Sequence, residues 1–185
     1  TPKPLLDEYR SIERANKLCE IEIIRAPDDT LVMLTRNEAR GGHTSMISIS
    51  QDEGQTWSEP KYLPSYLSGD RFQAAIDDST GKLLLSFRQI VPYGQNALSL
   101  DKFMTKGWVL WVGNLADLID YANGQFTGDI LGEKLILLGA DSSGDCGYSG
   151  VVASNGTVTA VSYGYFDTSG NPIIRAVNFE YMHVI

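Results

Sequence analysis

Paired extended segments recur along this chain, and each pair consists of two apolar, β-prone runs separated by a turn. The units span residues 20–36, 72–88 and 148–164, so they have the same length. Each turn contains Asp, Asn or Gly, which suit tight turns, and Asn155-Gly156 in the last unit is typical of a type I′ hairpin. The pattern predicts β-hairpins in equivalent settings.

Further extended segments follow each hairpin. They cover residues 44–50 and 57–63, then 108–112 and 135–138 with a candidate short helix at 115–121 between them, and finally 173–179. Groups of three or four strands, repeated at this spacing, are typical of a β-propeller. The predicted fold class is therefore all-β, as a segment of a propeller.

About three blades fit in this chain, counting four strands to a blade. They are expected at roughly 19–64, 70–139 and 146–185, within a single segment over 1–185 that begins with a lead-in over 1–18. So few blades do not close a ring. We therefore expect a missing N-terminal half or a second chain to complete the propeller.

Composition and charge argue against several classes of partner and cofactor. A chain of 185 residues can bury a real core, and its net charge of −8 argues against nucleic acid or an anionic membrane as partner. No apolar run is long enough to span a membrane. The histidines, His43 and His183, have no clustered ligands, so we expect neither a metal nor another cofactor. Cys19 and Cys146 could approach each other on neighbouring strands, but two free thiols are the preferred interpretation.

The segment from Ser50 to Trp57 reads Ser-Gln-Asp-Glu-Gly-Gln-Thr-Trp. The Asp52 carboxylate can accept bonds from the backbone ahead of it, and Gly54 can take a positive φ. The Trp57 indole can then fold back under the turn. This pattern resembles the Asp-box, Ser/Thr-x-Asp-x-Gly-x-Thr-Trp, a turn between two strands of a propeller blade. It marks a fold and not an active site.

Equivalent strand ends in a propeller meet around one axial pocket, because the first strand of each blade lines the axis. The repeat places the following residues at the innermost ends of first strands or the matching ends of second strands: Glu20, Arg71 with Phe72, Tyr148, Arg36 and Arg88. A Glu, a Tyr and several Arg are thus expected to converge where ligands usually bind.

From about residue 19 to residue 179 the chain resembles the C-terminal half of a sialidase (neuraminidase) of the exo-sialidase type. Glu20 and Arg36 are similar in spacing to the family's Glu and second triad arginine. Gly69–Ala74, which contains Gln73, resembles the family's Gln-containing strand start. Tyr148, in Tyr148-Ser149, resembles the tyrosine that serves as nucleophile.

The resemblance implies a six-bladed propeller and a retaining exo-α-sialidase mechanism on an acidic sugar or sialoglycoconjugate. Tyr148 would be the nucleophile, since a neutral tyrosine avoids repulsion from the carboxylate that sialic acid carries on its anomeric carbon. Glu20 would be the base that this weakly nucleophilic phenol needs. By class, the protein is expected to be extracellular or periplasmic.

Substrate-binding roles follow from the same resemblance and from the internal symmetry. Arg36 is the first candidate to clamp the substrate carboxylate, because guanidinium offers two parallel donors to a planar anion. Arg88 is the second candidate by symmetry, with Arg71 behind it, and Gln73 completes the expected set.

Other functions stay open. The family's N-terminal arginine and its Asp general acid match no segment here, so we expect this chain alone to be inactive. Lys102 and Lys106 stand where the family tends to carry its third arginine, which leaves a glycosidase or lyase for another acidic sugar as an alternative. A second alternative function is that of a non-catalytic Asp-box propeller module that binds glycan or protein. Hydrogen-bond contact between Glu20 and Tyr148, with Arg36 and Arg88 aimed at the same point, would favour the enzyme, whereas scattered side chains would favour the binding module.

Overall fold

The computed structural model describes residues 18–37, 45–64, 67–89, 107–125, 135–141 and 145–185. Within these ranges the chain forms eleven strands in three antiparallel sheets, with one α-helix and one 3₁₀-helix. The all-β prediction is thereby confirmed. No helix in the described ranges has the length and apolar character needed to cross a bilayer. The lead-in over 1–17, His43, Lys102 and Lys106 lie outside the described residues.

Each sheet is built from strands that are consecutive in sequence. The first sheet has the order β1 (Leu18–Arg25), β2 (Leu31–Asn37), β3 (Met46–Ser50) and β4 (Lys61–Tyr62). The second has β5 (Gly69–Asp77), β6 (Lys82–Gln89), β7 (Gly107–Gly113) and β8 (Leu135–Ala140), with helix α1 (Leu115–Asn123) between β7 and β8. The third has β9 (Gly147–Ser154), β10 (Thr157–Gly164) and β11 (Ile173–Glu180), followed by a 3₁₀-helix at Tyr181–His183.

The hairpins β1–β2, β5–β6 and β9–β10 form where the sequence predicts them. In the last of these, Asn155 and Gly156 both have positive φ, at 53° and 75°, as a type I′ turn requires. Strand β4 covers only Lys61–Tyr62 of the segment predicted over 57–63. Trp57 belongs to the turn that follows β3, and the Ser58 N–H donates to the Ile49 carbonyl of β3 at 2.8 Å.

That turn is organised by side chains. Asp52 accepts hydrogen bonds from the Thr56 amide at 2.8 Å and the Thr56 hydroxyl at 2.6 Å. The Ser50 hydroxyl donates to Asp52 at 2.8 Å and accepts from the Gly54 amide at 2.9 Å. Trp57 folds back so that its indole N–H donates to the Gly54 carbonyl at 3.1 Å. The chain therefore reverses here through its own polar side chains, and Gly54 supplies a φ of 77°.

The middle sheet is covered on both faces, and this explains its unbroken apolar runs. Leu83, Leu85 and Trp111 belong to a core shared with the first sheet and α1, while Leu84 and Trp108 belong to a core shared with the third. Both tryptophans are fully buried, as expected of core residues. A strand with both faces covered does not alternate between apolar and polar residues.

The third sheet alternates instead. Every second residue of β11 is exposed, and Ile174 (79% exposed) and Val152 (65% exposed) stand on the same open face. The opposite face carries Val158 and Ala160 into the core shared with the middle sheet. Within the described residues, the third sheet thus presents a partly apolar outer face to solvent.

Asp77, at the end of β5, ties the middle sheet to the third. Its fully buried carboxylate accepts hydrogen bonds from the Tyr181 hydroxyl at 2.9 Å, the Gly156 amide at 2.7 Å and the Ser79 hydroxyl at 2.6 Å. Burial alone raises the pKa of Asp77, but these donors outweigh it and hold the pKa well below its usual range. Asp77 is therefore ionised and anchors three segments at one point.

Candidate active site

Three residues at equivalent positions share an unusual backbone. Glu20 in β1, Arg71 in β5 and Tyr148 in β9 have φ values of 48°, 57° and 47°, in the left-handed region that residues other than glycine rarely adopt. Strand pairing is irregular beside each of them. A bulge of this kind turns a side chain out of the regular alternation of a strand. The same local distortion thus occurs once in each sheet, at the strand end that sequence analysis assigned to the axial pocket.

Glu20 and Tyr148 lie in direct contact. The Tyr148 hydroxyl donates to Glu20 Oε1 at 2.6 Å, although the two residues are 128 positions apart in sequence. Arg36 Nη1 donates to the same carboxylate oxygen at 2.9 Å. The Tyr148 residue is 61% exposed, whereas the Glu20 side chain is only 20% exposed, so the phenol stands at the surface above a mostly covered carboxylate.

The protonation states of this pair follow from their partners. Burial raises the pKa of Glu20, but the bonds from Tyr148 and Arg36 and the nearby guanidinium groups leave it below its ordinary value. The hydrogen bond to the Glu20 carboxylate raises the pKa of Tyr148, and burial adds to this rise. At neutral pH a neutral phenol therefore donates to a carboxylate, the arrangement in which a carboxylate can act as general base.

One buried carboxylate holds two of the predicted clamp residues. Asp70, fully buried, accepts from Arg88 Nε at 2.8 Å and from Arg88 Nη2, and it lies 3.3 Å from Arg36 Nε. Arg88 Nη1 is also 3.8 Å from Asp145. Arg36 thus lies between Glu20 and Asp70, and Arg88 bonds to the same Asp70 oxygen, Oδ2, that Arg36 approaches.

Arg71 occupies a different position. Its Nη1 donates to Asp145 at 3.0 Å, the Cys146 carbonyl at 2.7 Å and the Tyr163 hydroxyl at 2.8 Å. Its guanidinium carbon lies 4.5 Å from the centre of the Tyr148 ring. The side chain is only 12% exposed. Arg71 therefore connects the inner strand of the middle sheet to the third sheet and packs against Tyr148.

Gln73 lies at the junction of the first two sheets. Its amide donates to Glu22 at 3.0 Å and to the Phe72 carbonyl at 3.0 Å. Glu22 also accepts from the Ala74 backbone N–H at 2.9 Å, and burial raises the pKa of Glu22. The structure gives Gln73 a role in joining β1 to β5, and its binding of substrate stays a prediction.

Sequence reasoning did not single out Asp70, Asp145 or Tyr163. Asp70 could have been found from the hairpin register, which sets it opposite Arg88. Asp145 and Tyr163 carry no such local signal, because they meet Arg71 from another sheet. Cys19 and Cys146 are not joined by a disulfide, and burial raises the pKa of Cys146 to about 12.

Comparison with known proteins gives structural likeness only. Neither a family model nor a curated protein matches this chain. Among solved structures, a protein of unknown function from Dyadobacter fermentans is 21% identical with a TM-score of 0.64, over 90% of this chain and 39% of that one. The leech intramolecular trans-sialidase is 17% identical with a TM-score of 0.55, over 89% and 24% of the two chains.

A third neighbour comes from another class of glycosidase. The α-L-arabinanase from Penicillium chrysogenum is 14% identical with a TM-score of 0.55, over 88% of this chain and 46% of that one. This chain therefore spans less than half the length of each of these three neighbours. At such identities the likeness shows the fold alone, which is that of propeller enzymes.

Proposed function

We propose that this chain supplies the Tyr148 and Glu20 half of a retaining glycosidase of the exo-α-sialidase type. The observation that carries the proposal is the 2.6 Å hydrogen bond from Tyr148 to Glu20, with Arg36 on the same carboxylate oxygen. Convergence of a phenol, a carboxylate and a guanidinium from separate strands supports a reaction centre. The likeness to propeller glycosidases is consistent with it.

In the first step Tyr148 Oη attacks the anomeric carbon while its proton moves to Glu20. The bond from the anomeric carbon to the leaving group breaks, and the leaving group takes a proton from an acid that the described residues do not assign. In the second step water attacks the same carbon and passes a proton to the conjugate base of that acid. Tyr148 then departs and regains its proton from Glu20, so configuration is retained.

A tyrosine suits a substrate with a carboxylate at the reacting carbon, because a neutral phenol approaches such a centre without charge repulsion. Arg36 is the proposed first clamp on that carboxylate, since it already lies beside Glu20 at 2.9 Å. Arg88 has Nε and Nη2 bonded to Asp70 and Nη1 3.8 Å from Asp145, so its role as the second clamp stays a prediction.

The proposal is tested with an aryl sialoside whose leaving group departs without protonation, so that the unassigned acid is not needed. On sialosides whose leaving group needs an acid, this chain alone is expected to be inactive. On the activated substrate we expect slow hydrolysis, and a loss of about 10²-fold or more in kcat for Tyr148→Phe and for Glu20→Gln. Tyr62→Phe, on a strand remote from the pair, is the matched control and should retain activity. Equal turnover by Tyr148→Phe would overturn the mechanism, and glycan binding without turnover would favour a non-catalytic module.

A further inference from the structure

Arg71 has its donors engaged by the protein rather than presented to a ligand. Nη1 bonds to three acceptors beside or within the third sheet: Asp145, Cys146 and Tyr163. Nε is buried without a hydrogen-bond partner among the described residues, 4.0 Å from Glu20. Two of its three nitrogens are therefore held inside the protein, which is a poor arrangement for a bidentate clamp on a substrate carboxylate.

The backbone around Tyr148 is shaped to admit this guanidinium. Gly147, directly before Tyr148, has a φ of 123°, and a Cβ at that position would lie 2.8 Å from the Arg71 Cδ. Any side chain at position 147 would therefore collide with Arg71. The bulge at Arg71 and the glycine at 147 together place the guanidinium 4.5 Å from the Tyr148 ring centre.

We propose that Arg71 is a positioning residue that stacks on Tyr148 and stabilises its phenolate, and that it does not bind the substrate. As the Tyr148 proton moves to Glu20, negative charge develops on the phenol oxygen and spreads into the ring. A cation over the ring face stabilises that charge, and the same contact stabilises Tyr148 as the leaving group in the second step. This role for Arg71 rests on the proposed function of Tyr148 and Glu20.

Several other charged groups lie near Tyr148 and Glu20, and they come from all three sheets. Glu20 and Arg36 approach from the first sheet, and Asp70 and Arg88 from the middle sheet. Asp70 bonds to Arg88 and lies beside Arg36, which bonds to Glu20. Asp145, just before the third sheet, and Tyr163, within it, both bond to Arg71 Nη1, and Tyr163 donates to Asp145 at 3.1 Å. Glu20 opposes ionisation of Tyr148, whereas Arg71 favours it. Removing Arg71 should therefore make the phenol harder to ionise.

The experiment follows Tyr148 directly, by carbon NMR of protein labelled at tyrosine Cζ, with Tyr148→Phe assigning the signal. In Arg71→Gln we expect the Tyr148 titration midpoint to move upward, because the cation that favours phenolate is gone. Arg71→Lys retains the charge without the planar stack and should give a smaller rise. Arg175→Gln is the matched control, since Arg175 stacks on the Phe166 ring at 5.0 Å instead of on Tyr148, and it should leave the midpoint unchanged.

An unchanged or lowered midpoint in Arg71→Gln would overturn the proposal. If Arg71→Gln does not fold, Arg71→Lys carries the test alone, and an unchanged midpoint there counts against the role. With the activated aryl sialoside, Arg71→Gln should lower kcat roughly 10- to 100-fold with little change in KM. If Arg71 instead bound the substrate, its replacement would raise KM. A protein without turnover still gives the titration result, so failure of the proposed function and failure of this role are distinguishable.

Discussion

At the scale of single residues, buried carboxylates decide where the arginines and the sheets meet. Asp70 neutralises Arg88 and approaches Arg36, which allows two guanidinium groups to sit near each other with little exposure. Asp77 joins segments at the opposite end of β5, where hydroxyl and amide groups donate to its carboxylate in place of arginines. Both are fully buried, and both are satisfied by several donors, which is the condition for a buried charge to be tolerated.

Asp77→Asn should destabilise the fold by about 2 kcal/mol at neutral pH, since an amide cannot accept from all the donors that the carboxylate satisfies. The folded pKa of Asp77 lies below its unfolded value, so its contribution is present above the unfolded pKa and is lost as pH falls further. Urea unfolding should therefore show a constant difference between wild type and variant from pH 7 to about pH 4, and a smaller one below.

The neighbouring Asp78 is exposed in the same turn, so Asp78→Asn is the matched control and should leave stability nearly unchanged. Equal stability of Asp77→Asn and wild type at pH 7 would contradict the role of Asp77 as an anchor between sheets.

At the scale of elements, the sheets differ in how completely they are covered. The middle sheet packs on both faces, whereas the outer face of the third exposes Val152, Val161 and Ile174. We propose that further sheets of the same fold cover this face, either from a longer polypeptide or from a second chain. Contiguous apolar surface of this kind commonly marks an interaction site.

Light scattering on the 185-residue chain should therefore show a mass that rises with protein concentration. Replacing Val152 and Ile174 together with lysine should hold the mass near 20.3 kDa without lowering the melting temperature, because both side chains are already exposed. Gln51→Lys together with Gln55→Lys, at two exposed positions of the turn after β3 and away from this face, is the matched control. Unchanged association in the double variant would show that this face is not the one that associates.

At the scale of the whole molecule, hairpins and their repeat were predictable because their signals are local. The Asn155-Gly156 turn and the apolar run around Leu84 depend on neighbours in sequence. Equal spacing then places Glu20, the Arg71/Phe72 pair and Tyr148 at equivalent strand ends. The left-handed backbone at these positions was not predictable, since non-glycine residues give no sequence signal for a bulge.

Contacts between sheets were also beyond prediction. Asp145 and Tyr163 meet Arg71 across more than 70 positions in sequence, and nothing in local pattern relates them. The start of the segment predicted over 57–63 was placed wrongly for a local reason, because the Trp57 indole N–H donates back to the Gly54 carbonyl and holds Trp57 in the turn.

The central claim is that Tyr148 attacks the anomeric carbon with Glu20 as base. The most direct measurement is mass spectrometry of the protein after exposure to a sialyl fluoride that carries a second fluorine beside the anomeric carbon, which slows release of the glycosyl-enzyme. Fluoride leaves, a bond forms from Tyr148 Oη to the sugar, and the proton passes to Glu20. We predict one glycosyl adduct, on the peptide that contains Tyr148, and none in Tyr148→Phe. An adduct on Glu20, or no adduct in the wild-type protein, would contradict the mechanism.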